Sequence, residues 1–159
     1  MKINNCQTVL FVKDIEVSKD FYINTLGLQV DQDFGTNVGF KNGPAIWELR
    51  KDHLITENLG FESLLNKSCN RFELYFETED ITEIFSLLKN KNVNFLHEIH
   101  EEIWGQQTIR FFDPDNHLIE IGESMATFIG KFHRQGMTPE QISEKTFVPV
   151  EKVISFIDD

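Results

Sequence analysis

The spacing of apolar residues switches from strand-like to helix-like and back, and the same succession occurs twice along the chain. Residues 7–12 form a short apolar run bounded by charge, which predicts a strand. Asp14 follows, suited to cap the free N–H groups of a helix, and Glu16 complements the positive end of its dipole. Val17, Phe21 and Leu26 recur at near-helical spacing until Gly27, where a left-handed residue stops the helix. Three strands are expected next, near 28–34, 38–41 and 45–51, punctuated by Gly35, Gly39, Asn42-Gly43 and Pro44. Residues 52–70 lack strand alternation and read as a partly helical connector carrying Leu59, Phe61, Leu64 and Leu65.

The second pass is cleaner. Over 71–78, Phe72, Leu74 and Phe76 alternate with Glu73, Tyr75 and Glu77, the period of a strand. Asp80 caps a helix, with Glu83 three residues on as in a capping box. Ile81, Ile84, Phe85 and Leu88 give that helix an apolar face, and Lys89 and Lys91 sit at its negative end. Strands are expected near 94–99, 107–112 and 117–122. The last two are joined by Asp113-Pro114-Asp115-Asn116, a tight turn in which Pro fixes φ and Asn tolerates the left-handed position. The chain thus reads βαβββ twice, an α+β fold. Module one spans about 7–51, the connector 52–70 and module two about 71–122; the core is 1–123 and the tail 124–159.

Composition narrows the function. The chain has 159 residues, long enough for an ordinary core, and its 15 Phe supply the apolar area that rules out intrinsic disorder. A formal charge of −11 argues against nucleic acid and anionic membranes, which both need clustered Lys and Arg. No apolar run is long enough to span a bilayer, and Met1 to Cys6 shows no secretory h-region. Cys6 and Cys69 are the only cysteines, with no zinc-type spacing, so a reduced cytoplasmic protein is the simplest reading; a Cys6–Cys69 bridge stays open.

The repeat also predicts where polar residues converge. Asp14-Ile15 and Asp80-Ile81 open the two helices, and Gln7 and Glu73 each lie seven residues before them. Glu48 and Glu120 lie near the ends of the modules' last strands, so pseudo-symmetry sets Gln7 against Glu73 and Glu48 against Glu120. Alternation places Leu10, Val12, Trp47 and Leu49 under the first helix, with Gln7, Phe11, Ile46, Glu48 and Arg50 facing away. Ile109, Phe111, Ile119 and Ile121 face the second helix; Thr108, Arg110 and Glu120 do not. If the sheets curl together with helices outside, a cup holds Gln7, Glu48, Glu73 and Glu120, with Arg50, Tyr75, Thr108 and Arg110 nearby.

The sequence resembles the vicinal oxygen chelate superfamily of glyoxalase I, extradiol dioxygenases, fosfomycin-resistance thiol transferases and bleomycin-resistance proteins. The likeness is carried by Val12-Lys13-Asp14-Ile15 with Phe21-Tyr22 and Leu26-Gly27-Leu28, and by Phe111-Phe112-Asp113-Pro114-Asp115-Asn116-His117 leading to Ile119-Glu120-Ile121. Trp104-Gly105-Gln106 resembles the bleomycin-resistance branch. The resemblance implies one metal ligand from each of four strands, at Gln7, Glu48, Glu73 and Glu120, and a divalent metal such as Mg, Mn, Ni or Zn. Glu73 stands where His is common, and an all-oxygen set favours Mg, Mn or Ca. The two-His, one-carboxylate pattern of the dioxygenases is absent.

Two neutralising cations compete for the inward carboxylates, because buried charge must be paired. One is a metal, in a glyoxalase-like lyase or thiol transferase where Glu120 or Glu48 moves a proton. The other is Arg50 with Arg110, in a metal-free cup for a small polar ligand of the bleomycin-resistance kind. Arg110 either clamps a ligand carboxylate or phosphonate, or pairs with Glu120 or Glu73. Trp104 is a stacking wall at the cup mouth or a packing residue, Phe11 a further ligand contact. His97, His100 and His117 read as surface or structural residues.

The tail suggests three helices. Phe128, Ile129 and Phe132 predict one ending at Gly136; Thr138-Pro139-Glu140-Gln141 is a strong start signal; Pro149 to Ile157 opens another. The run from Gly136 to Ile154 also resembles a helix-turn-helix unit, implying a regulator, but across the tail Glu140, Glu144, Glu151, Asp158 and Asp159 outnumber Lys131, Arg134, Lys145 and Lys152. Packing against the core or a second subunit is the alternative. A homodimer is expected from exposed sheet edges and a connector long enough for modules to exchange.

Overall fold

The computed structural model describes residues 7–66 and 72–158. Cys6, Cys69 and Arg71 lie outside the described residues. The chain divides into two compact units, Met1–Phe72 with Asp113–His117, and Glu73–Phe112 with Leu118–Asp159.

The first unit holds β1 (Val9–Val12), β2 (Val30–Asp33), β3 (Asn37–Phe40) and β4 (Ala45–Glu48) in the order β1-β4-β3-β2. β1 runs parallel to β4, and the other neighbours are antiparallel. The expected first helix is α1 (Ile15–Asp20), which relaxes into a π-helical turn over Phe21–Thr25. Asp14 caps it by accepting from the Glu16 and Val17 N–H groups, and Gly27 ends it at φ +72°. Within the connector lie α2 (Leu54–Leu59) and α3 (Phe61–Asn66).

Strand alternation sorts this sheet into two faces. Leu10, Val12, Val38, Phe40 and Ile46 are buried with Tyr22, whose ring lies 5.5 Å from that of Phe40. The other face carries Phe11 and Trp47, register partners with rings 6.1 Å apart, and Trp47 also meets His53 at 4.8 Å. This reverses the expected facing of β4. Ile46 and Glu48 share the helix face with Leu10 and Val12, and Trp47 turns away from it.

Asp113 is the polar centre of the first unit. It is buried and accepts from the Tyr22 hydroxyl at 2.9 Å, the N–H groups of Asp115 and His117, and its Oδ2 lies 2.8 Å from His117 Nδ1. Asn116 takes the left-handed conformation the turn demands, at φ +66°. Burial first, then the neighbouring Asp113 charge, pushes the Tyr22 phenol far above its ordinary range, so it stays a hydrogen-bond donor.

The second unit repeats the topology. β5 (Leu74–Thr78), β6 (Asn94–Glu101), β7 (Gln107–Phe112) and β8 (Leu118–Glu123) stand in the order β5-β8-β7-β6, with β5 parallel to β8. α4 (Ile81–Asn90) begins at Asp80, whose side chain accepts from the Glu83 N–H. Ile109, Phe111, Ile119 and Ile121 are buried. The unit also contains α5 (Met125–Arg134), α6 (Pro139–Thr146) and α7 (Val150–Asp158). Phe128, Ile129, Phe132, Ile142 and Val153 form their shared core, and α6 carries the full capping box of Thr138 and Gln141. No helix among the described residues is long and apolar enough to cross a membrane.

Tyr22→Phe should cost about 1 kcal/mol by urea unfolding, the net worth of one hydrogen bond. Asp113→Ala should cost about 3 kcal/mol, because it also orphans the buried hydroxyl and the turn's N–H groups.

Candidate functional site

The sheet face opposite α4 gathers the chemistry of the second unit. Tyr75 and Glu120 are register partners on β5 and β8, Glu120 and Arg110 on β8 and β7, and Thr108 sits beside Gly122. These side chains therefore project together, as alternation predicted. Glu120 is only 5% exposed, on a strand flanked by β5 and β7.

Arg110 binds the carboxylates. Its Nε donates to Glu73 Oε2 at 3.1 Å and its Nη1 to Glu102 Oε1 at 2.8 Å, while Nη2 meets Glu120 Oε2 in an ion pair. Nη1 also lies 3.2 Å from His97 Nε2. The His97 Nδ1 lies 2.7 Å from the Glu98 carbonyl, so the two contacts together require the proton on Nδ1 and the lone pair on Nε2. Thr108 Oγ1 donates to Glu102 at 3.3 Å.

These contacts set the protonation of the cluster. Desolvation is the largest influence on Glu120 and raises its pKa; Arg110 opposes this, and the Glu73 and Glu102 charges add to it. Glu102 moves the other way, held below the usual carboxylate range chiefly by the hydrogen bond from Arg110. Burial works against charge on Arg110, but its bonds to Glu102 and Glu73 prevail and raise its pKa.

Tyr75 is half exposed beside this cluster. It accepts from Gln106 Nε2 at 3.0 Å and donates to Glu77 Oε1 at 3.1 Å. Desolvation pushes its phenol up to about 12. Trp104, read as a stacking wall or a packing residue, packs against the core of α5–α7 and donates from Nε1 to Gln106 Oε1 at 3.0 Å.

In the first unit the expected residues separate. Gln7 is exposed on the Phe11–Trp47 face, with its Nε2 3.7 Å from where a Cβ on Gly39 would stand. Glu48 is on the opposite face, and its Oε2 accepts from the Ile15 N–H at 3.1 Å. The helix start explains the reversal of β4: free N–H groups and the positive dipole end favour a carboxylate there. Arg50 lies beyond β4, exposed and forked onto Asp52 at 3.1 and 2.7 Å, with the Glu48 charge a lesser influence on it. Phe11 remains on the open face, half-buried.

The donor set implied by the resemblance does not fit a metal. Gln7 and Glu48 lie on opposite faces of one sheet, and Glu73 and Glu120 are both paired with a guanidinium. Among the described residues no group of three or more His, Cys, Asp or Glu is arranged to hold a metal ion.

Sequence reasoning missed Glu102, Gln106 and His97. β6 slips register between Phe95 and His97 and again between His97 and His100, so these histidines oppose Arg110 and Thr108 with rings 5.8 Å apart. Simple alternation assigns His97 and His100 to opposite faces, and no pattern announces a bulge. Glu102 and Gln106 belong to the turn before β7; their only signal was proximity to the Trp104-Gly105-Gln106 motif.

A family profile described as glyoxalase-like domain matches residues 5–126. The chain belongs to this family, and with it to the vicinal oxygen chelate superfamily. A solved protein of unknown function from Agrobacterium tumefaciens str. C58 is 34% identical, with a TM-score of 0.63 over 79% of this chain and 97% of that one. A glyoxalase/bleomycin resistance protein/dioxygenase family enzyme from Burkholderia phytofirmans PsJN shares the fold at 15% identity and a TM-score of 0.60, covering 74% and 95%. A lactoylglutathione lyase from Agrobacterium tumefaciens does so at 18% and 0.53, covering 76% and 93%. No curated protein sequence matches the chain.

The opposite shifts of Glu102 and Glu120 predict opposite pH effects. Glu102 stabilises above its unfolded pKa and loses this as pH falls through its lower folded value, so Glu102→Gln should flatten the acid limb of a stability–pH curve. Glu120 has a raised folded pKa; its contribution is full below the unfolded value and is lost as pH rises through the folded one. Glu120→Gln should therefore remove a loss of stability on the neutral side of the carboxylate range. Urea midpoints measured across pH check both slopes.

Proposed function

We propose that this glyoxalase-like protein binds a small polar ligand without a metal, as the bleomycin-resistance branch of the resemblance implies, at the Arg110 face of its second unit. The carrying observation is that one guanidinium pairs with Glu73, Glu102 and Glu120. A buried carboxylate left unpaired costs several kcal/mol, and Arg110 supplies the cation that would otherwise have to be a metal.

The same pairing defines what the ligand offers. The Arg110 donors are turned onto carboxylates, which disfavours a clamp on a ligand carboxylate or phosphonate. Three carboxylates against one guanidinium leave a surplus of acceptor oxygens, with Tyr75 and Thr108 beside them. The fitting ligand presents hydroxyl or amine donors. Glu120, raised by burial, is the carboxylate best suited to hold a proton there. Phe11 and Trp47 give the first unit an aromatic surface on its own open face. Homodimerisation and a cytoplasmic setting belong to the same reading; β1 and β5 are edge strands of their sheets, and edges invite pairing.

Elemental analysis of gently purified protein should find no stoichiometric Mg, Mn, Ni or Zn. Stoichiometric metal that disappears in Glu120→Ala would contradict the proposal. In a thermal-shift panel of small amines, polyols, carboxylates and phosphonates, amines or polyols should stabilise the protein and Glu73→Gln should weaken the effect. Stabilisation by carboxylates or phosphonates that Arg110→Met abolishes would reverse the assignment. Light scattering at micromolar concentration should give a dimer mass.

A further inference from the structure

The turn Glu102–Gln106 connects the tail helices to the carboxylate cluster. It is closed by two backbone hydrogen bonds, Gly105 N–H to the Glu102 carbonyl at 2.8 Å and Glu102 N–H to the Gln106 carbonyl at 2.9 Å. Its outer side is held by the tail. Lys131 on α5 donates to the Gly105 carbonyl at 3.0 Å and to Glu123 Oε2 at 3.3 Å. Trp104 packs on the core of α5–α7. Gly105, at φ +90°, lies so close to Phe132 that a Cβ would run into its ring, with Lys145 beside it.

The inner side of the same turn serves the Arg110 face. Glu102 accepts from Arg110 and Thr108. Gln106, buried, donates to the Tyr75 hydroxyl at 3.0 Å and the Glu123 carbonyl at 2.6 Å, while its own carbonyl oxygen Oε1 takes the Trp104 indole N–H. Glu123 Oε2 accepts in turn from the Gln107 N–H at 2.8 Å and from Lys131. Both side-chain polar atoms of Gln106 are thus committed, and a shift of the turn would break contacts on both sides.

We propose that α5–α7 are the positioning element of the Arg110 face: Lys131 and Trp104 hold the Glu102–Gln106 turn in the conformation that brings Glu102 to Arg110 and Gln106 to Tyr75. Two of the tail's basic residues are engaged within the second unit, Lys131 as above and Lys145 over the Phe132 ring at 5.0 Å. The proposal rests on reading the Arg110 face as the ligand surface, but its test needs no ligand, so the two fail separately.

The test uses the full chain and the double variant Lys131→Met/Trp104→Phe, which keeps apolar bulk at both positions and deletes both polar ties. The readout is the titration of Glu102 by carboxyl carbon NMR. The charged and titrating groups facing Glu102 are Arg110, His100 and Glu120, and its depressed value comes chiefly from Arg110. The expected result is a rise back toward the ordinary carboxylate range as the contact to Arg110 loosens. Val153→Ala, which opens the α5–α7 core without deleting either polar tie, should lower stability and leave the Glu102 titration where it was. An unchanged Glu102 in the double variant, or an equal rise in Val153→Ala, would overturn the proposal.

Discussion

The buried carboxylate of Glu120 on an inner strand is paired with a cation, and much in the second unit follows from how it obtains one. Water reaches only a twentieth of it. Its partner Arg110 is presented by the neighbouring strand in direct register, so the pairing is set by the same ladder that builds the sheet. The guanidinium has a planar fork of donors, which allows one side chain to engage Glu73, Glu102 and Glu120 at once. Lysine, a compact charge on a flexible stem, could not span them in this way. The geometry of Glu102, and through it the turn before β7, is therefore part of the electrostatics of Glu120.

The two glutamates are three residues out of step in the repeat. Glu48 ends β4 opposite Val12, whereas Glu120 lies midway along β8 opposite Tyr75, the position that Ala45 opposite Val9 holds in the first unit. Glu120 faces away from its helix and needs a guanidinium. Glu48 faces its helix and takes the Ile15 N–H at the helix start, where the dipole is favourable. An offset of three residues puts them on opposite sides of the sheet relative to the helix, so Glu48 and Glu120 are not a symmetry-related pair of ligands.

This explains which features were legible in the sequence. The tandem βαβββ order, the caps at Asp14, Asp80 and Thr138, the left-handed Asn116 and the helical tail all follow from local periodicity and turn chemistry, which are readable one segment at a time. Alternation in β7 and β8 placed Arg110 and Glu120 together because the buried Ile109, Phe111, Ile119 and Ile121 take the helix side. β4 misled because Trp47 looks like a core residue, whereas Phe11 across the ladder holds it on the open face. His97 and Glu102 were hidden because a bulge and a turn, not a period, bring them to Arg110.

The central claim is that Arg110 is the cation of the carboxylate face. Its most direct measurement is the Nε–H resonance of Arg110 in nitrogen-15 labelled protein, assigned by its loss in Arg110→Lys and followed as Mn²⁺ is added. A paramagnetic ion bound by Glu73 or Glu120 would broaden that resonance at stoichiometric metal. The account predicts a protected, sharp signal that stoichiometric Mn²⁺ leaves intact. A signal that vanishes at one equivalent of Mn²⁺, and survives in Glu120→Ala, would contradict it.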